Sequence, residues 1–511
     1  MSAGLEEIAR LSRHVLLAGK SIASLSDTLI SVIDPATEQE IADVAEATDV
    51  EVDEALDTAN QAWRGWFAQS ALERTDALHR AAAEIRKNAR LLAEMMTREM
   101  GKPYKEAADE VEWSASAITY YAEIARHENG KVLGNTVPGQ FHFVTKEPLG
   151  VVGIILPFNY PLVLLAWQMG GAVAAGNAVV VKPSEQTTLT TLRFLECFSG
   201  LPAGVVNMVS GGGRVGARIV ESPIIRMIVF TGSVSTGQII ARVCAESFKR
   251  CLIEASGNDP FIVSAKAKLE PAVPGLTFAA FLNAGQVCTS AERIFVESAI
   301  HDEFVERFAA ETRKLRLGSG LEQVDIGPMA THADRERTEA IIRRAVEQGA
   351  RVVCGGSRPT HVNRGYFLEP TILVDVRPDM EIMNEESFGP IAPVCRVESF
   401  DEAIRLANQS RFGLGANVYT SDLAEAMRAV NELEAGMVWV NAPLLDNAAG
   451  PFGGRKMSGM GRQLGSEGLD AFRETKFAII DPAADNQDFW WFPYKASEAF
   501  RSLNNGDDNG R

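Results

Sequence analysis

The chain has little with which to cross-link itself. Its six cysteines, Cys197, Cys244, Cys251, Cys288, Cys354 and Cys395, form no C-x-x-C pair and no close-spaced framework. Reduced thiols in a cytoplasmic setting are therefore expected, not a disulfide scaffold. Seven scattered histidines include no H-E-x-x-H, so no metal site is expected. There is no G-x-S-x-G elbow and no Walker A loop. Positive charge is scarce: 50 Lys and Arg against 67 Asp and Glu give a formal net charge of −17. That balance argues against nucleic acid or an anionic membrane surface as a partner. No uncharged apolar run is long enough to span a membrane; the most apolar region, Val151 to Val181, is broken by prolines, Asn159 and glycines. The opening MSAGLEEIARLSRHVLLAGK carries Glu6 and Glu7 and lacks the basic-then-apolar order of a signal peptide.

What is present is ordinary globular material, 46% hydrophobic and 23% charged over 511 residues, long enough for two or three domains. From Val50 to Arg126 the chain is rich in Ala, Glu, Arg and Leu with helical periodicity, with stops at Gly101-Lys102-Pro103 and Gly130. FHFVTKEPLG reads as a strand turning at Pro148. From Val151, apolar strands and helical stretches alternate at short intervals: VVGIILPFNY, PLVLLAWQMGGAVAAG, NAVVVKPSE, TTLTTLRFLECFSG, GVVNMVSG, VGARIVES and IRMIVFTGS. This pattern predicts an α/β fold with a parallel, doubly wound sheet covered on both faces. A second alternating region starts near Asp259 and runs to GMVWVNA, predicting another α/β domain. The glycine-rich GPFGGRKMSGMGR follows, then TKFAII as a late strand. The end of the chain is polar around DFWWFPY, an aromatic patch expected to pack on its own chain or on a neighbour.

One cysteine stands apart by context. In FLNAGQVCTS, Gly285 permits close backbone approach, and Cys288 is placed at an expected helix start, where a thiolate is stabilised. The bland alternative is a small buried hydrophobe. Asn159 follows VVGIILPF at the C-terminal end of a predicted parallel strand, where sites in open α/β sheets gather. Its amide could donate to a developing oxyanion, or it could be a turn asparagine between Pro157 and Pro161. Glu254, in CLIEASGNDP, is either buried and neutral or a general base. FTGS, with Gly232 and Ser233, joins a strand to a helix where backbone N–H groups can meet phosphate. Lys182 and Glu185 follow another strand end. A carboxylate there can accept ribose hydroxyls and repel an added 2′-phosphate; otherwise both are solvated loop charges.

Taken in order, LPFNYP, VVVKPSE, FTGS, Glu254, NAGQVC, NEESFGP and GPFGGRKMSGMGR resemble the NAD(P)-dependent aldehyde dehydrogenase superfamily of the hydrolytic, non-acylating type, over about residues 25–480. The resemblance implies a Rossmann-type NAD-binding domain (1–127 and 149–256), a catalytic domain (257–456), a small β oligomerisation arm (128–148 and 474–490) and a C-terminal tail (491–511). It implies Cys288 as nucleophile, Asn159 as oxyanion donor and Glu254 as the base for water. Pro157, Lys182, Glu185, Gly232, Ser233, Glu386 and Phe388 match cofactor contacts, with Glu185 favouring NAD over NADP. Tyr160, Leu164, Trp167, Val287, Thr289, Asp446 and Phe452 match the aldehyde funnel. Tyr160, Leu164 and Trp167 share one helix face. The funnel reads as suited to an apolar or aromatic aldehyde. Amino- or trimethylammonium-aldehydes are the alternative, since aromatic faces attract cations. A CoA-acylating enzyme and a non-enzymatic structural protein are the remaining alternatives. EASGN, Gln168 and Gln463 depart from the family pattern around the base. A homodimer or homotetramer is expected.

Overall fold

A computed structural model describes residues 2–127, 129–486 and 491–492. Contacts divide the chain into two units, Met1–Glu128 with Pro148–Arg473, and Asn129–Glu147 with Glu474–Arg511. Most of the DFWWFPY patch lies outside the described residues.

The first unit holds two large sheets. In the first, five parallel strands run in the order Arg250–Glu254, Ile225–Thr231, Val151–Ile155, Ala178–Lys182, Val206–Met208. Numbered along the chain this is 5-4-1-2-3. The order reverses between Val151–Ile155 and Ile225–Thr231, so a crevice opens beyond their carboxyl ends, where such sheets take ligands. Strands such as VVGII and AVVVK are buried at every position, as a sheet covered on both faces requires. The edges are antiparallel and were not foreseen: His14–Leu17 and Lys20–Ala23 on one side, Gly459–Met460 on the other. The last is a two-residue strand inside GPFGGRKMSGMGR that pairs Gly459 with Glu254.

The second sheet has seven strands, parallel except for the edge strand Arg351–Cys354. The predicted helical region before Val151 is four helices, Asp49–Ala68, Ala71–Lys87, Ala89–Met100 and Tyr104–Ile124. Thr48 and Ser70 each close a capping box with the glutamate three residues on. The second unit carries a three-stranded sheet in the order Arg473–Ile480, Phe141–Pro148, Gly130–Leu133. Among the described residues no helix is long and apolar enough to cross a membrane. All six cysteines are free.

Candidate active site

Cys288 does not start a helix. The helix Leu269–Phe281 ends, and Asn283, Ala284 and Gly285 take left-handed φ of 50°, 54° and 73°. The chain then turns through Cys288 into the strand Ala291–Glu297. Cys288 therefore heads no helix of its own. Gly285 is required twice over, because a Cβ there would lie 2.1 Å from the Gly389 carbonyl oxygen and φ is positive. Gly257 packs just as closely on the other side: its Cβ would lie 2.0 Å from the Cys288 carbonyl oxygen. The EASGN departure therefore keeps the one glycine that the Cys288 backbone needs.

Cys288 is partly buried and lines a cavity of about 690 Å³. All seven residues assigned to the funnel line it: Tyr160, Leu164, Trp167, Val287, Thr289, Asp446 and Phe452. Trp167 and Phe452 pack with ring centroids 4.8 Å apart. The sequence reading missed the carboxyl side chains on the same wall, Glu106, Asp109 and Glu110, together with Trp113. Among the described residues no arginine lines the cavity. Glu106 accepts from the Asn283 N–H at 3.0 Å, and burial pushes its carboxyl up to about 8 despite nearby Lys102. Burial likewise raises Asp446 to about 7.

Behind the thiol, away from the cavity, sits Glu254, 1% exposed at the end of its strand. Gln463 Nε2 donates to its Oε2 at 2.7 Å, while Oε1 has no full hydrogen bond. Burial raises the carboxyl to about 7; the neighbouring Cys288 thiol, Gln463 and Thr231 hydroxyl pull it back only in part. Gln168 Nε2 donates to that Thr231 hydroxyl at 2.9 Å. The two glutamines among the departures from the family pattern thus sit around Glu254 as neutral amides. Burial and the Glu254 carboxylate together hold the Cys288 thiol well above its ordinary range, so at neutral pH it is protonated.

Asn159 is buried in the turn between the strand Val151–Ile155 and the helix Pro161–Ala174. Its Nδ2 donates to the Gln286 carbonyl at 3.2 Å, two residues before Cys288. The strand end at Asn159, the Cys288 turn and Glu254 thus converge.

The cofactor candidates fall at the crevice. Lys182 ends its strand, buried, donating to the carbonyls of Pro183 and Gly211 at 2.8 and 2.6 Å, with Glu185 3.9 Å away. Gly212 lies against Glu185. Pro157 follows the neighbouring strand end. Ser233 caps the helix Val234–Glu246 by accepting from the Thr236 N–H at 3.3 Å. A Cβ on Gly232 would lie 2.6 Å from the Phe230 ring, so the backbone there stays bare. A bare strand-to-helix turn at a switch point, flanked by a carboxylate and an ammonium, fits a dinucleotide. Glu386 Oε1 accepts from the Gly257 N–H at 3.0 Å, and burial raises it to about 8. Phe388 meets Phe158 edge-on at 6.1 Å. This loop is held by a residue the sequence reading did not single out: Glu292 accepts from the N–H groups of Ser387 and Phe388 at 2.8 and 2.7 Å.

The profile of the aldehyde dehydrogenase family matches residues 22–478. The chain belongs to that family. It is 36% identical to the 3-sulfolactaldehyde dehydrogenase of Pseudomonas putida over 93% of this chain and 98% of the relative. It is 37% identical to the NADP(+) succinate-semialdehyde dehydrogenase of Escherichia coli over 92% and 98%. Betaine aldehyde dehydrogenase from Staphylococcus aureus, solved in complex with NAD+, superposes with a TM-score of 0.92 at 31% identity, covering 96% of this chain and 99% of that one.

Proposed function

We propose that this protein oxidises a cationic aldehyde, an amino- or trimethylammonium-aldehyde, to its carboxylic acid with reduction of NAD. The observation that carries the substrate class is the cavity wall. Among the described residues no arginine lines it, and the lysine on its wall, Lys105, is paired with Asp109. Aromatic rings and the carboxyls of Glu106 and Asp446 line it. Neither carboxyl has a salt-bridge partner among the described residues. This departs from the apolar or aromatic aldehyde expected from the sequence, because Glu106, which joins the expected Asp446 on the funnel wall, comes from a helix outside the recognised motifs.

The Cys288 thiol gives its proton to water as Sγ adds to the aldehyde carbon, which forms a thiohemiacetal whose oxygen carries the charge. The Asn159 amide donates to the oxygen that becomes negative. Lys182, Glu185, Ser233 and Glu386 would hold NAD, which when bound would supply the acceptor for the hydride leaving that carbon. Glu254 takes a proton from the water that adds to the resulting thioester, and the thiol leaves with the acid formed. A base for water has no task in a CoA-acylating enzyme, which is why hydrolysis is preferred. Glu185 beside the crevice favours NAD over a 2′-phosphorylated cofactor.

The test is NADH formation with 4-aminobutanal, betaine aldehyde, hexanal and succinate semialdehyde as alternative substrates. Cationic aldehydes should give the highest kcat/KM. Their KM should fall as pH rises through about 7 to 8, where Asp446 and Glu106 ionise, while that of hexanal stays level. Preference for succinate semialdehyde would overturn the substrate class. Turnover that appears only with added CoA would overturn the hydrolytic reading.

A further inference from the structure

Lys102 and Glu110 form a salt bridge with side chains 0% and 1% exposed, and nothing in the reaction above uses it. Burying two charges is costly, and an apolar pair of the same volume often stabilises a fold as well or better. Stability alone is therefore a weak reason for this pair. Its contacts supply another. Lys102 Nζ donates to the main-chain carbonyl of Asn159 at 2.8 Å and lies 3.5 Å from the Tyr160 ring centroid. Glu110 Oε1 accepts from the N–H groups of Leu162 and Val163 at 2.9 and 3.2 Å. Those donors open the helix Pro161–Ala174, which has no side-chain cap of its own. The pair thus grips the Asn159-Tyr160-Pro161 turn on both sides. Asn283 Nδ2 adds a second bond to the Asn159 carbonyl at 3.2 Å and another to the Gln286 carbonyl at 3.2 Å, which ties the turn to the Cys288 loop.

We infer that Lys102 and Glu110 are positioning residues: a buried ionic strut that fixes the backbone of Asn159 so that its amide stands where the oxyanion forms. Charge-assisted bonds are shorter and stiffer than neutral ones, and displacement of a reacting group by a fraction of an ångström is expensive in rate. The inference rests on the reading of Asn159 as oxyanion donor.

A double-mutant cycle tests it on the full-length enzyme with saturating NAD. N159A should lower kcat about 10²–10³-fold. K102M/E110M leaves no unpaired charge and should fold, as thermal melting checks; it should lower kcat about 10- to 100-fold with little change in NAD affinity. Adding K102M/E110M to N159A should cost nothing further, because the strut then has no amide to place. A merely structural pair would lower kcat by the same factor in both backgrounds, and that additivity would overturn the proposal. Wild-type kcat in K102M/E110M would overturn it too, as would failure of that variant to fold. Wild-type kcat in N159A would instead overturn the reading of Asn159 itself, and the two failures are read from different arms.

Discussion

Glu254 carries the clearest consequence at the scale of one residue. Its carboxyl is raised to about 7 because burial disfavours the charge. A base acts when deprotonated, so hydrolysis of the thioester should slow as pH falls through 7, by about tenfold per unit well below that value. Hydrolysis-limited kcat plotted against pH checks this, and a profile flat from pH 5 to pH 8 would exclude Glu254 as the base. E254Q should lose about 10²–10⁴-fold in steady-state turnover yet keep a first-turnover burst of NADH. Burial still raises the Cys288 thiol, but the substitution removes the charge that raises it further, so attack does not suffer with hydrolysis. An E254Q enzyme without the burst would mean that Glu254 also serves the attack. Residues such as Cys288, Asn159 and Glu254 were legible because each sits in a short motif at a strand end or beside a glycine. Lys102, Glu106, Glu110 and Glu292 were not. Each looks like a surface charge on a helix or strand, and only a partner far along the chain, as Asn159 is to Lys102, shows it to be buried.

The elements themselves divide in the same way. Runs such as AVVVK, too short for a helix and bounded by turn residues, announce buried parallel strands, and proline at the first position announces the helix Pro161–Ala174. The turn before Cys288 announces nothing, since Asn283 and Ala284 adopt left-handed backbone without being glycine. The helix expected there was the natural reading of small residues after an apolar run. The two-residue strand Gly459–Met460 is likewise too short to show a period. Gly285 is where this turn can be tested. In G285A the new methyl would meet the Gly389 carbonyl oxygen at 2.1 Å at a φ of +73°. Left-handed backbone alone costs a side chain about 1–2 kcal/mol, and the clash adds to it. The variant should melt lower and lose turnover far beyond its loss of fold, because the turn that shifts carries the thiol. An unchanged melting temperature and kcat would show that the loop relaxes freely.

For the whole molecule the question is what the small unit is for. Its three-stranded sheet ends in two edge strands and leaves Val132, Phe141, Phe477 and Ile479 87%, 63%, 56% and 53% exposed. Apolar side chains on open strand edges are an aggregation hazard unless another chain covers them. The expected cover is a second copy of this chain, as the resemblance implies, and the protein should run on gel filtration as a dimer or larger. V132E/F477E places charges on that surface and should shift the protein to the monomer. Catalysis gives an independent check on the same variant. Every residue lining the aldehyde cavity, from Pro103 to Phe452, belongs to the other unit, so the monomer should still give its first-turnover burst. Unchanged elution would remove the arm as the assembly surface. A monomer without the burst would show that assembly also shapes the site, through whatever the arm of one copy does to the loops of the next.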